Sequence, residues 1–315
     1  MPFVTAFYRA LGTGMVISVD SPIDDKVRSA MESLIEDYEH VLSRFRNDSL
    51  IAAIGKAEHG GSFDFPDWCA PLFDLYDALF SATSGAIDPC VGEDLIRLGY
   101  DASLSFTVTQ DAPEHLGALR GRAVWGRDVT RHGTTLVTHE PVQLDFGACG
   151  KGYLVDLLGR MLQSSQFVID AGGDLLIHAE QPISVALEDP EDQSHAIGIA
   201  HIANGALCAS APSRRHWNVA VNERTQIAIH HLLNAIDGLP AQQTEASWAY
   251  VPANATFNLA RDYPTAVADG LATALFVSDV AQLQRTFDFT YATLDESRQI
   301  AVSRNFPAEL FLRSA

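Results

Sequence analysis

Basic side chains are scarce in this 315-residue chain, with 21 Lys and Arg against 40 Asp and Glu and a formal net charge of -19. A surface of that sign repels polyanions, which argues against nucleic acid or an anionic membrane as a partner. An anionic ligand would need local help from a metal, a helix N-terminus or a few placed cations. Cysteine is sparse too. Cys69, Cys90, Cys149 and Cys208 form no C-x-x-C pair, so neither a zinc site nor a disulfide framework is suggested. The opening MPFVTAFYRALGTGMVISVD lacks a basic segment followed by an uninterrupted apolar one, so the chain as given is expected to be cytoplasmic, with no membrane anchor. No linker rich in Gly, Pro or Ser divides the chain and no internal repeat is visible, so residues 1–315 are expected to form a single unit.

Apolar residues make up 47% of the chain, enough for a sizeable core and too many for disorder. Val16–Val19 reads as a first strand after the turn Gly12-Thr13-Gly14. Val27, Met31, Leu34, Ile35, Tyr38, Val41, Leu42 and Phe45 form one apolar stripe, which predicts a helix over Asp24–Phe45. A second helix is predicted over Asp67–Ser81. Short strands and Gly or Pro turns then dominate 104–145 and 167–251, with few helices between them. Separated helices among runs of strands, without a βαβ repeat, predict an α+β fold. Its expected form is a largely antiparallel sheet core with packed helices, in two closely packed lobes with the ligand between them.

The most informative stretch is LDFGACGKGYLVD, Leu144–Asp156. Leu144 and Phe146 flank Asp145 as in a short buried strand; Gly147, Gly150 and Gly152 follow, then apolar positions at helical spacing. Glycines there let the backbone approach a ligand, the helix N-terminus presents N–H groups to an anion, and Lys151 adds a positive charge. A tight turn with no ligand is the plainer reading. Cys149 within the turn reads as a small buried filler rather than a reactive thiol. Further on, Asp269 and Thr273 lie four apart; if Ala268–Val277 is helical they share a face and offer two hard oxygens to one ion such as Mg²⁺. Alternatively, Asp269 is an ordinary first-turn acid and Thr273 bonds back to a carbonyl.

The glycine segment resembles the D-L-G-G-I-A-K-G-Y-x-x-D signature of the ApbE-type flavin transferases, the FAD:protein FMN transferases. Other segments resemble further motifs of that family, in its order. SRFRNDSLIAAI (Ser43–Ile54) is similar to S-x-F/Y-R/K-x-D-S-x-L/I, and SGAIDPCVGEDLIRLGYD (Ser84–Asp101) to its G-a-F/M-D-p-t-V-G segment. IDAGGDLL (Ile169–Leu176) is similar to N-A-G-G-D, HHLLNAIDGLPA (His230–Ala241) to H-I-I-D-P-x-T-G-x-P, and ADGLATALFV (Ala268–Val277) to A-D-A/G-L/W-A/S-T-A-L.

The resemblance implies roles. Asp269, Thr273 and the carbonyl of Ala148 match a magnesium site; Ala272 stands where some relatives carry a second carboxylate, which argues against a second metal. Asp145 and Lys151 match turn positions that hold FAD, and Ala86, Ile87 and Asp88 a loop that contacts it. Phe45, Leu11 and Leu233 match positions beside the cofactor, though each would serve equally as a core side chain. Asp174 is expected to support the site. His231 matches a histidine near the reacting phosphate, where a near-neutral imidazole can take a proton from a hydroxyl; a lone His at a strand end is otherwise usually structural. The chain departs from the family at Asn234-Ala235, at Asp237 and over Ser210–His216. The activity implied is Mg²⁺-dependent transfer of FMN from FAD to a Thr or Ser hydroxyl of an acceptor protein, releasing AMP. The alternatives are an FAD pyrophosphatase using the same site and a non-catalytic FAD-binding protein.

Overall fold

A computed structural model describes residues 1–222 and 225–311. Among them, nine strands form one sheet in the order Phe3–Ala10, Thr13–Val19, Phe167–Asp170, Asp174–Glu188, Ala196–Ser210, Thr244–Pro252, Thr290–Asp295 and Ile300–Val302, with Ala308–Leu310 beside Ala196–Ser210. Every pairing in it is antiparallel. The α+β expectation holds.

Side-chain alternation explains why this sheet is covered twice. Ala206, Cys208 and Ala249 join one apolar cluster, whereas their neighbours Leu207 and Trp248 join another with Leu187, Leu294 and Phe306. The first cluster is the main core, where the helices Gly150–Gly159 and Pro264–Ala274 pack on each other and on the sheet. Leu154, Val155, Leu158, Val267 and Leu271 are fully buried there, each worth about 1.5–3 kcal/mol relative to exposure. No helix of the described residues is long and apolar enough to cross a membrane.

The first long helix runs Asp25–Leu42, capped by the Asp24 carboxylate on the Val27 amide at 2.8 Å. It buries Met31, Ile35, Tyr38 and Leu42. It stops earlier than the stripe suggests because Ser43 is extended (φ -84°, ψ 116°), which turns Arg44–Arg46 away from the helix axis. The second comprises a short 3₁₀ turn, Asp67–Cys69, and the helix Ala70–Ala82.

Four expectations need correction. The first strand is Phe3–Ala10, an edge strand that pairs Thr13–Val19 through a turn at Leu11 and Gly12. Leu144–Phe146 belongs to no strand; Asp145 N–H donates instead to the Pro89 carbonyl at 2.7 Å. Within 104–145 the only described strands are Val129–His132 and Thr135–Thr138, which pair with Gly61–Asp64 around Thr135–Thr138 in a small separate sheet. Finally, the helix expected at Ala268–Val277 begins four residues earlier and ends at Ala274. Pro264 opens it, and the buried Asp156 carboxylate accepts from the Thr265 and Ala266 amides at 3.1 and 2.8 Å. Asp269 is therefore interior to its helix, not in its first turn.

Candidate functional site

The core helices, the ends of several sheet strands and the loops after the first helix enclose a cleft of about 750 Å³. All twelve candidate residues line it: Leu11, Phe45, Ala86, Ile87, Asp88, Asp145, Ala148, Lys151, His231, Leu233, Asp269 and Thr273. Its cations are Arg44, Arg46, Lys151, Arg214 and Arg215, set against the carboxylates of Glu39, Asp88, Asp145 and Asp269. For a chain of net charge -19, five cations are thus gathered at one cleft, four of them (Arg44, Arg46, Lys151 and Arg214) held in ion pairs.

The glycine turn closes one end. Gly152 N–H donates to Asp269 Oδ2 at 2.9 Å, and the Gly147 amide to Asp145 Oδ1 at 2.6 Å. The anion at the N-terminus of the helix Gly150–Gly159 is thus the chain's own Asp269, favourably placed against the helix dipole. Thr273 Oγ1 lies 3.4 Å from the Ala148 carbonyl oxygen, so the three candidate metal-binding oxygens converge. Burial pushes the Asp269 carboxyl up to about 6, opposed by the charge of Lys151 and the Gly152 amide. A divalent cation would supply the compensation this buried carboxylate lacks, and a carboxylate, a hydroxyl and a carbonyl suit a hard ion. Lys151 Nζ pairs with Asp174, whose side chain is fully buried; Asp174 therefore anchors the lysine, as a supporting residue would.

Gly152 is glycine because the two core helices touch there. A Cβ on it would lie 2.3 Å from the Thr265 carbonyl oxygen and 2.9 Å from Asp269 Cβ. At Gly150 the nearest atom to such a Cβ is Tyr38 Oη at 3.3 Å. Gly152→Ala should therefore destabilise the protein by about 1–3 kcal/mol, despite alanine's better helix propensity. Urea unfolding checks this. A Gly152→Ala variant as stable as wild type would contradict the close helix contact.

The remaining candidates divide between pocket walls and supports. Asp88 caps its loop through the Cys90 amide at 2.8 Å and faces the buried Arg122 at 3.4 Å. Arg122 also donates to the Ala235 carbonyl at 2.6 Å, and the Ala235 amide to the Ala86 carbonyl at 3.0 Å. The loop Ala86–Asp88 and the segment after His231 are thereby held as one wall. Leu11 adopts a left-handed backbone (φ 53°) and its amide donates to Glu39 Oε1 at 2.9 Å. Phe45 is 40% exposed while Leu233 is buried, so the first is a cleft surface and the second also part of a small satellite core. His231 directs Nδ1 at the Arg215 carbonyl, 3.2 Å away, and packs edge-on against Tyr100. Burial pulls its imidazole down to about 4. Cys149 is fully buried, with its thiol pushed upward by burial.

Three residues of the site escaped the sequence reading. Arg44 pairs with Asp145; Tyr100 receives Arg44 through its carbonyl at 2.5 Å, and its hydroxyl accepts from Arg215. Arg44 occupies the variable position of its motif, so no pattern marks it. Only the pairing of a carboxylate with a cation 101 residues away reveals it.

Fold and site together define an α+β cleft protein with aromatic walls and cations placed for an anionic ligand. Its relatives narrow this. The chain belongs to the ApbE family, whose model matches residues 11–293. It is 23% identical over 274 residues to the FAD:protein FMN transferase of Klebsiella pneumoniae (strain 342), covering 83% of this chain and 74% of that protein. It is 27% identical over 286 residues to the FAD:protein FMN transferase of Treponema pallidum (strain Nichols), covering 80% and 72%. Among solved structures, the ApbE protein of Thermotoga maritima superposes with a TM-score of 0.78 at 20% identity, covering 98% of this chain and 99% of that one. The flavin transferase ApbE of Vibrio cholerae gives 0.75 at 18%, covering 96% and 98%. At these identities the structures speak for the fold alone.

Proposed function

We propose that this protein transfers the FMN half of FAD to a Thr or Ser hydroxyl of an acceptor protein, releasing AMP, in a Mg²⁺-dependent reaction. Membership of the ApbE family supports the transferase reading, and two relatives carry that activity in their names. The observation that carries the chemistry is the convergence of Asp269, Thr273 and the Ala148 carbonyl beside the glycine turn. These three oxygens would hold Mg²⁺, which when bound supplies charge neutralisation for phosphoryl oxygens.

The chain's own groups account for the rest. Arg44, Lys151 and Arg215 give the cleft its positive field, and Phe45, Ile87 and Leu233 its apolar walls. The acceptor hydroxyl oxygen forms a bond to the FMN phosphorus while the bond from that phosphorus to the AMP oxygen breaks. His231 takes the hydroxyl proton, and AMP leaves with the electron pair. Incubating the protein with FAD, Mg²⁺ and a flavinylatable acceptor peptide should add the mass of FMN less one water to the peptide. FMN and AMP released with no labelled peptide would identify a pyrophosphatase instead, and FAD bound but never turned over would identify a binding protein.

A further inference from the structure

We infer that Arg44 is the charge-compensating and positioning residue that makes the Asp145 wall of the cleft acceptable to an anionic dinucleotide; this rests on the FAD reading above. Asp145 sits on the glycine turn with its side chain only 15% exposed, and it faces the same cleft as the cations. Alone it would repel a diphosphate. Arg44, whose side chain is 6% exposed, places Nε on Asp145 Oδ2 and Nη1 on the Tyr100 carbonyl. Its third nitrogen, Nη2, is buried and has no hydrogen-bond partner among the described residues. Nη2 is thus the guanidinium's uncommitted nitrogen, while through Nε and Nη1 the side chain contributes charge and a fixed position for the turn.

Its orientation is locked by two rings. The guanidinium carbon lies 4.2 Å from the Phe45 ring centre and 4.6 Å from that of Tyr100, and those rings meet edge to face at 5.4 Å. Cation–π contact of this kind favours arginine over a flexible ammonium. Arg44 thus links the aromatic rim at Phe45 to the glycine turn at Asp145, joining the turn after the first helix to the start of the helix Gly150–Gly159.

The test is a double-mutant cycle on FAD affinity, read by flavin fluorescence, with inorganic pyrophosphate as a second probe by calorimetry. Arg44→Met keeps the bulk and removes the charge, and should weaken FAD binding by roughly 10- to 100-fold, as losing one partner of a desolvated charge pair does. Asp145→Asn retains an oxygen for the Gly147 amide and removes the repelling charge, so it should bind FAD at least as tightly as wild type. The double variant should bind FAD better than Arg44→Met alone, because the uncompensated carboxylate is gone. Arg44→Lys should restore part of the affinity. A double variant as weak as Arg44→Met, with all variants folded by circular dichroism, would overturn compensation in favour of direct ligand contact or a merely structural role. Wild type that binds pyrophosphate but not FAD would sink the flavin reading, and the same cycle on pyrophosphate would then decide the Arg44 assignment. Binding of neither probe would sink both.

Discussion

Asp269→Asn should reduce FMN transfer by at least about 10²-fold, as removing a main electrostatic stabiliser of a transition state commonly does. The asparagine is chosen for a structural reason. Asp269 is 5% exposed and its Oδ2 accepts the Gly152 amide, so alanine would strip a helix–helix hydrogen bond along with the charge. Asparagine keeps an oxygen for that amide and loses only the charge, the single anionic contribution to the oxygen set with Thr273 and Ala148. Because burial holds the Asp269 carboxyl up near 6, a neutral side chain there should be tolerated by the fold. The melting temperature without metal should stay near that of wild type or rise. Turnover titrated with Mg²⁺ checks the assignment. Unchanged activity with unchanged metal dependence would show that Asp269 is a helix-capping group and nothing more.

The sequence made the cleft legible through glycines and short motifs, because those encode local backbone needs: a turn, a close helix contact, a residue at helical spacing. It made the sheet legible through alternation, as in buried Met15, Ile17 and Val19. Three things were hidden for definable reasons. The edge strand Phe3–Ala10 leaves Phe3, Val4 and Tyr8 exposed, so its apolar residues do not fall on one face. The strand-like Leu144–Phe146 has the right burial, but its partner is the Pro89 loop, and pairing across 56 residues leaves no local mark. The start of the helix Pro264–Ala274 did have a signal, since proline is preorganised for the first helical position. Its cap, however, is Asp156, supplied from another helix. That residue ends the K-G-Y-x-x-D segment, so one motif builds the N-termini of both core helices: Asp156 caps the helix carrying Asp269, and Asp269 accepts from the helix carrying Asp156. The reciprocal arrangement explains why Asp269 and Thr273 on one helix lie beside the Ala148 carbonyl on the turn that opens the other, locked at Gly152.

His231→Ala should bind FAD within a few-fold of wild type yet transfer FMN about 10²- to 10⁴-fold more slowly, the range typical of lost general acid–base catalysis. The geometry fixes which nitrogen acts. A carbonyl oxygen only accepts, so Nδ1, 3.2 Å from the Arg215 carbonyl, carries the proton and Nε2 is the basic nitrogen. Burial, reinforced by the nearby positive charge of Arg215, pulls the imidazole down to about 4. The neutral form is therefore the one the folded protein prefers. That preference contributes stability at pH above the unfolded value of about 6.5, and the contribution is lost as pH falls through about 4. The base thus stays available across the neutral range, and the acid limb of kcat/KM that it governs should lie near 4 rather than near 6.5. The His231→Ala variant should lack that limb. Single-turnover transfer alongside FAD titration separates the two effects. Should His231→Ala lose FAD affinity while keeping wild-type turnover at saturation, the imidazole serves only as a wall packed on Tyr100, and proton removal must be assigned elsewhere in the cleft.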